Sequence, residues 1–298
     1  MEKPQLDSLI KKDFAALPPM LQQAAQFAID HPRTVAMASM RQVAREAGVQ
    51  ASTMHRLATQ LGFDGYEAFR NVYRQWLARG DTSFSARATQ LQRHRGKATS
   101  PLIQDILQAD LDNLGQLLDE TTAGALTQAH DALRTAGQIY VVGLRSLFPA
   151  AYYFSYSCGM FLNNTVLLAG TGGGFADSLR RARAGDALIV FSCQPYAKDA
   201  LAATRYAHRK GARIIAVTDS AVSPVAKLAN VTISFSNQTP SLFPSVVPAL
   251  AVAQTLVAML VASGGKTSLN EIARSEAQLA EFDTYVGRGA RGGPPQGQ

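Results

Sequence analysis

Two groups of residues in this chain have the types and spacing to do chemistry. The first lies at 50–60, QASTMHRLATQ. Read as a helix, it places Met54, Leu57, Ala58 and Leu61 on a buried face and leaves Gln50, Ser52, Thr53, His55, Arg56 and Gln60 for an outer one. Amide, hydroxyl and guanidinium groups arrayed in this way can hydrogen-bond base edges and phosphates in a DNA major groove. Small residues at Ala51 and Ser52 let the helix end approach a duplex closely. The pattern alone also fits a generic helical hairpin.

The second group follows a set of short apolar runs. Gly143, Arg145 and Ser146 come after the first run, Ser192, Gln194 and Tyr196 after the third, and Asp219 and Ser220 after the fourth. If the runs are parallel strands, these positions sit at their carboxyl ends, where open α/β sheets bind ligands. Hydroxyls near helix N-termini suit a small anion, and a guanidinium can pair with it bidentately.

The elements that must hold these groups are legible. In the stretch 40–63, Val43, Ala44 and Ala47 form a short apolar face, and Gly48 can take the left-handed conformation that turns a second helix back. Val49 packs into the corner, and Ser52 is the expected cap of the second helix. Five runs rich in Val and Ile lie at 138–143 (QIYVVG), 165–170 (TVLLAG), 187–192 (ALIVFS), 213–219 (RIIAVTD) and 231–236 (VTISFS). Continuous apolar runs of this kind are buried parallel strands, and the segments between them are long enough for crossover helices. The fold class expected is therefore an all-α helix-turn-helix domain followed by a doubly wound α/β domain, a five-stranded parallel sheet in three layers of flavodoxin type. The boundaries expected are a first domain at 1–79, a linker at 80–101, a second domain at 102–284 and a disordered tail at 285–298 (low-complexity GRGARGGPPQGQ at its end).

Residues 17–69 resemble the N-terminal domain of the RpiR family of bacterial regulators. The resemblance rests on the Gly48-Val49 turn, on Ser52, Thr53 and Arg56, and on LGFDGYEAF at 61–69. It implies that 40–48 is a supporting helix, that 50–61 is the recognition helix, and that Tyr66 and Phe69 pack back onto the bundle. Residues 102–264 are similar to the SIS (sugar isomerase) domain that follows such a helix-turn-helix in that family. In sugar-phosphate-binding SIS domains the first strand ends in a Gly-x-x-Ser turn, matched here by Gly143 and Ser146. The third strand is followed by Ser-x-Ser-Gly-x-Thr. Here only Ser192 matches, and Gln194, Pro195 and Ala197 stand where the second Ser, the Gly and the Thr would be.

Composition bounds the function. The 298 residues are 47% hydrophobic and carry a net charge of +7, with bases leaning toward the N-terminal third, which suits a polyanionic partner. The longest apolar stretch, 246–262, is broken by Gln254 and reads as a buried helix, so no membrane partner is expected. No apolar leader is visible, and Cys158 and Cys193 read as reduced thiols, so the expected location is the cytoplasm. Gly172-Gly173-Gly174 lacks the Gly-Lys-Ser/Thr of a phosphate loop and reads as a plain loop, Ser223-Pro224 as the start of a helix over the fourth strand. The aromatic cluster Tyr152, Tyr153, Phe154 and Tyr156 spans every face of its helix, one for the core and another for a subunit interface. A sugar-phosphate isomerase needs a general base at the substrate carbon, yet none of the five histidines, and no Glu, falls in a strand-end loop. The reading is a regulator and not an enzyme, without metal or cofactor. Its partners are a double-stranded DNA operator, a small anionic effector and further copies of itself in a homodimer or homotetramer. The alternatives are an isomerase-like enzyme and a ligand-binding protein without a DNA function.

Overall fold

The computed structural model describes residues 3–78, 84–95 and 98–286. The chain divides into two compact units, Met1–Gln104 with Pro240–Phe243, and Asp105–Thr239 with Pro244–Gln298.

The first unit is helical: α1 (Lys3–Asp13), α2 (Pro19–Asp30), α3 (Pro32–Met37), α4 (Met40–Glu46), α5 (Ala51–Gln60), α6 (Tyr66–Ala78) and α7 (Phe84–Gln92). Pro19 and Pro32 start α2 and α3 at the first helical position, where the missing N–H costs nothing. In α2 the buried Leu21, Ala24, Ala25 and Ala28 keep helical spacing. Tyr66, Phe69, Val72 and Tyr73 do the same in α6, and the Phe69 ring lies 5.0 Å from Tyr73 and 5.7 Å from Phe63. Tyr66 and Phe69 thus pack onto the bundle as the family resemblance implies. Lys3 holds α1 to α6: its ammonium is 2.5 Å from Asp7 and lies above the rings of Tyr73 and Trp76.

The second unit is a sheet between two helical layers. Its strands are β1 (Ile139–Gly143), β2 (Thr165–Leu167), β3 (Ala187–Ser192), β4 (Arg213–Thr218) and β5 (Val231–Ser234), all parallel, in the order β2-β1-β3-β4-β5. All five fall on the runs expected from the sequence. Alternate residues face opposite layers. Ile139, Val141, Ile189, Phe191, Ile215 and Val217 pack under α9 (Glu120–Arg134), α10 (Phe148–Cys158) and α12 (Val247–Ser263). Tyr140, Val142, Leu188, Val190, Ile214 and Ala216 pack under α11 (Lys198–Arg209). The helices α8 (Ser100–Gly115) and α13 (Gly265–Glu281) complete the unit. Asn113 of α8 donates to Gln238 O at 2.7 Å, and Ser245 to Asp110 at 2.5 Å. The stretch expected as a buried helix is α12, with Val252, Ala253, Leu256 and Leu260 inside.

Two crossovers differ from expectation. The β2–β3 connection holds only 3-10 turns, Thr171–Gly173 and Asp177–Leu179, because a run of glycines opens it and glycine resists helix formation. Ser223-Pro224 opens a 3-10 turn, Ala226–Leu228, and not a covering helix. The short β4–β5 connection leaves no room for more, and the Ser223 hydroxyl instead accepts Ala226 N–H at 3.2 Å. Within the expected linker, residues 80–83, 96 and 97 lie outside the described residues, while α7 and the start of α8 are helical. Of the expected tail, 287–298 lies outside them too. Among the described residues no single helix is long and apolar enough to cross a membrane.

Candidate nucleic-acid interface and ligand cleft

The interface begins with how α4 stops. Ser39 caps its start, accepting Gln42 N–H at 3.3 Å. At its end Gly48 has φ +68°, Gly48 N–H donates to Arg45 O at 3.2 Å, and Val49 N–H donates to Ala44 O at 2.9 Å. These two bonds close the helix in a Schellman motif and send the chain back into α5. Gln23, from α2, fixes the turn from outside: its Nε2 donates to Ala47 O at 2.8 Å. Sequence reading missed this residue, since nothing local marks a contact made 24 positions away.

The N-cap of α5 is Gln50, without a side-chain bond, so Ser52 is not the cap; it stands exposed in the first turn. Met54, Leu57 and Ala58 are buried. Gln50, Ser52, His55, Arg56 and Gln60 are exposed and Thr53 is half-buried, so the six candidates share one helix with its polar side in solvent. His55 rests on the turn before α6, where a Cβ added to Gly65 would lie 3.3 Å from its Cε1. The basic residues sort into two kinds. Arg70 and Arg74 are spent within the domain, both donating to Ala36 O at 3.4 Å and pairing with Glu67. Arg41 and Arg45, four residues apart on α4, are exposed; both belong to the basic N-terminal third that the sequence shows.

In the second unit the order β2-β1-β3 reverses direction at β1 and β3, which sets the crevice at their carboxyl ends. Gly143 is buried there. A Cβ at this position would lie 2.7 Å from both Ala151 Cβ and Leu147 O, so its smallness lets α10 close onto β1. Arg145 is exposed and holds φ +59°, a conformation uncommon outside glycine, in a 3-10 turn that also carries the half-buried Ser146. Ser192 is buried at the end of β3, in register with Thr218.

Asp219 organises the rest. It accepts from Gln194 N–H at 3.2 Å, from the Tyr196 hydroxyl at 3.0 Å and from Thr218 at 3.3 Å, tying the β3 loop to the end of β4. Ser220 is buried, and its hydroxyl accepts Val222 N–H at 3.3 Å. The structure therefore joins Gln194, Tyr196 and Asp219 directly and places Arg145 and Ser146 at a neighbouring strand end. Cys193 lies beneath this loop. Burial, reinforced by the charge of Asp219, pushes its thiol up to about 12, against a hydrogen bond with Asn237. Among the described residues no cluster of His, Cys, Asp and Glu could hold a metal ion.

Comparison with known proteins accounts for both units. The description "Helix-turn-helix domain, rpiR family" matches residues 5–80, and "SIS domain" matches residues 132–262. An HTH-type transcriptional regulator of Clostridium perfringens is 20% identical over 65% of this chain and 68% of its own length. The bifunctional protein glk of Burkholderia thailandensis is 27% identical over 72% of this chain, which spans only 33% of that protein. Among solved structures, the sugar isomerase domain of an RpiR transcription factor from Sphaerobacter thermophilus superposes with a TM-score of 0.52 at 27% identity, over 63% of this chain and all of that one. The Vibrio vulnificus NanR protein, complexed with ManNAc-6P, shares the fold over 93% of this chain and 98% of its own, with a TM-score of 0.55 at 17% identity. A helix-turn-helix domain followed by an SIS domain defines a class of transcriptional regulator. This chain belongs to the RpiR family.

Proposed function

We propose that α5 reads an operator in the major groove through Gln50, Ser52, Thr53, His55, Arg56 and Gln60, and that a small anion bound at the strand ends alters this reading. The observation that carries the first half is the outward polar side of α5, held at a fixed angle by the Schellman turn and the Gln23 bond. The NanR relative is complexed with a sugar phosphate, which supports a sugar phosphate or a similar small anion here. Arg145, Ser146 and Ser192 receive the anion, and Gln194, Tyr196, Asp219 and Ser220 shape the wall beside it. Gln194, Pro195 and Ala197 in place of hydroxyls and glycine give a stiffer loop, with its first amide committed to Asp219.

Such a regulator acts in the cytoplasm as a dimer or dimer of dimers, because helix-turn-helix readers engage two half-sites. The isomerase alternative finds little support: among the described residues no His or Glu stands at the strand ends, and Asp219 is occupied by three donors. Fluorescence anisotropy with the chain's own upstream DNA tests the first half. A thermal-shift screen of phosphorylated sugars and small carboxylates, repeated with operator present, tests the second. Binding no tighter to upstream DNA than to a scrambled duplex defeats the operator reading.

A further inference from the structure

The layer that holds α11 carries most of the second unit's positive charge. Between 171 and 230 nine Lys and Arg stand against four Asp, whereas 105–170 holds two bases and six acids. All nine bases are exposed. The four acids do little to screen them. Asp177 pairs with Arg180. Asp186 is buried, and its carboxylate accepts Gln138 N–H at 3.1 Å and Arg183 N–H at 3.0 Å. Asp219 is held in the ligand cleft by its three donors. Asp199 stands in the first turn of α11, at the far end of that helix from Arg209.

Six of the bases gather at the amino ends of the strands, the edge opposite the ligand cleft. Arg181 and Arg183 lie in the turn before β3. Arg209 ends α11 with Arg205 one turn earlier, Lys210 follows it, and Arg213 starts β4. The two turns touch. A Cβ on Gly211 would lie 3.3 Å from Ala184 Cβ, and Arg213 N–H donates to Asp186 O at 2.8 Å. The half-buried Tyr206 sits among them, its ring centroid 5.9 Å from the Arg209 guanidinium and 5.5 Å from the Lys210 ammonium. Among the described residues none of the six makes an ion pair. The dipole of α11 favours bases at its last turn, which accounts for Arg209 and Lys210 but not for Arg181, Arg183 or Arg213.

We propose that this basic edge is a second nucleic-acid contact, holding the phosphate backbone of duplex DNA without reading its sequence. The inference rests on the reading of the chain as a DNA binder and adds a surface to the one proposed for α5. Charge argues for it first, since a duplex offers one negative charge per roughly 1.7 Å of its axis and several bases can be met at once. The lack of an apolar anchor then separates DNA from an acidic protein. Protein interfaces are built round buried apolar and aromatic side chains, and no large hydrophobic residue is exposed between 157 and 242. Phosphate contacts need no such anchor and accept Arg or Lys alike.

Fluorescence anisotropy of the full chain on a random-sequence duplex of about 40 bp, four turns of about 10 bp each, tests the surface across a series of salt concentrations. Arg181→Gln with Arg183→Gln and Lys210→Gln should reduce the slope of log K against log salt by about three, with far-UV circular dichroism unchanged. Arg181→Lys with Arg183→Lys and Lys210→Arg should keep the wild-type slope. Lys266→Gln with Arg274→Gln, which removes exposed bases of α13 instead, should also keep it. A triple Gln variant with the wild-type slope overturns the proposal. So does an equal loss of slope in the α13 variant, which would show only an effect of net charge. Loss of binding to poly-L-glutamate with duplex binding unchanged would assign the edge to an acidic polypeptide and overturn it too. Because the duplex is random in sequence, failure of α5 to prefer an operator would leave these outcomes unaltered and would be recognised separately.

Discussion

Gln23 and Ala47 are joined by a 2.8 Å hydrogen bond across the turn from α4 to α5, and a Cβ on Gly48 would lie 2.9 Å from the donating nitrogen. The bond and the glycine therefore depend on each other. Gly48→Ala has to accept φ +68° with a side chain, which costs about 1–2 kcal/mol, and must also push the Gln23 amide aside. Gln23→Ala leaves the Ala47 carbonyl without this donor, at about 1 kcal/mol. The double variant should lose less than the sum, since the alanine at 48 has already displaced the amide. Trp76 is the chain's one tryptophan and sits on α6 of the same unit, so urea unfolding followed by its fluorescence reads this domain alone. Strictly additive losses would show that the two residues are independent.

What was legible in the sequence was what short-range pattern encodes. Five strands could be placed because each is a continuous apolar run, and Gly48 could be placed because a helix end needs a left-handed residue there. Partnerships made at a distance were not legible. Gln23 reads as one more polar residue of α2 until the fold brings it to Ala47. Asp219 reads as a strand-end acid facing a ligand, yet three donors from two strand ends meet on it. Arg70 and Arg74 read as part of a basic surface, but the carbonyl of Ala36 and the Glu67 carboxylate bind them within the domain. Ser52 suggested a cap by its type, but the backbone enters the helix two residues earlier, at Gln50.

Arg56 and the pair Arg41 and Arg45 should separate specificity from affinity. Arg56 is exposed on α5, the helix proposed to read the groove, where one bidentate contact to a base would carry about 1–3 kcal/mol of discrimination. Arg56→Ala should relax preference at one operator position and leave the Trp76 unfolding curve in place. Arg41 and Arg45 stand on the supporting helix, which in such domains crosses the phosphate backbone. Arg41→Gln with Arg45→Gln should weaken operator and random DNA alike and reduce the slope of log K against log salt by about two. An unchanged salt slope in the folded double variant would remove both residues from the backbone contact.

The bond from Tyr196 to Asp219 should matter for effector response more than for folding. Tyr196→Phe deletes one donor to a half-buried carboxylate that keeps two others. Stability should fall by only about 1 kcal/mol. The β3 loop, released from β4, should then hold the effector less well, and the effector concentration needed to shift DNA binding should rise while DNA affinity itself stays. Ser146→Ala and Ser192→Ala should act in the same direction. If all three respond to effector as the wild type does, the anion binds elsewhere than at these strand ends.

The two cysteines should be silent at neutral pH and should cost the second unit stability in alkali. Cys158 and Cys193 are both buried, and burial pushes each thiol up to about 12, because the interior disfavours the thiolate. At pH 8 only about one molecule in ten thousand carries either thiolate, and the thiolate is the species that reacts. Iodoacetamide should leave the native chain unmodified at that pH and label both residues once denaturant is added. In the unfolded chain each thiol returns to its usual range near 8.5. A group raised on folding stabilises the fold fully below its unfolded pKa and loses that contribution as pH climbs toward the folded one. The melting temperature of the α/β unit should therefore decline between about pH 8.5 and 12, and the decline should be shallower in Cys158→Ala and Cys193→Ser than in wild type. Rapid labelling of Cys193 in the native chain would show that the β3 loop opens far more readily than its ties to Asp219 and Asn237 allow.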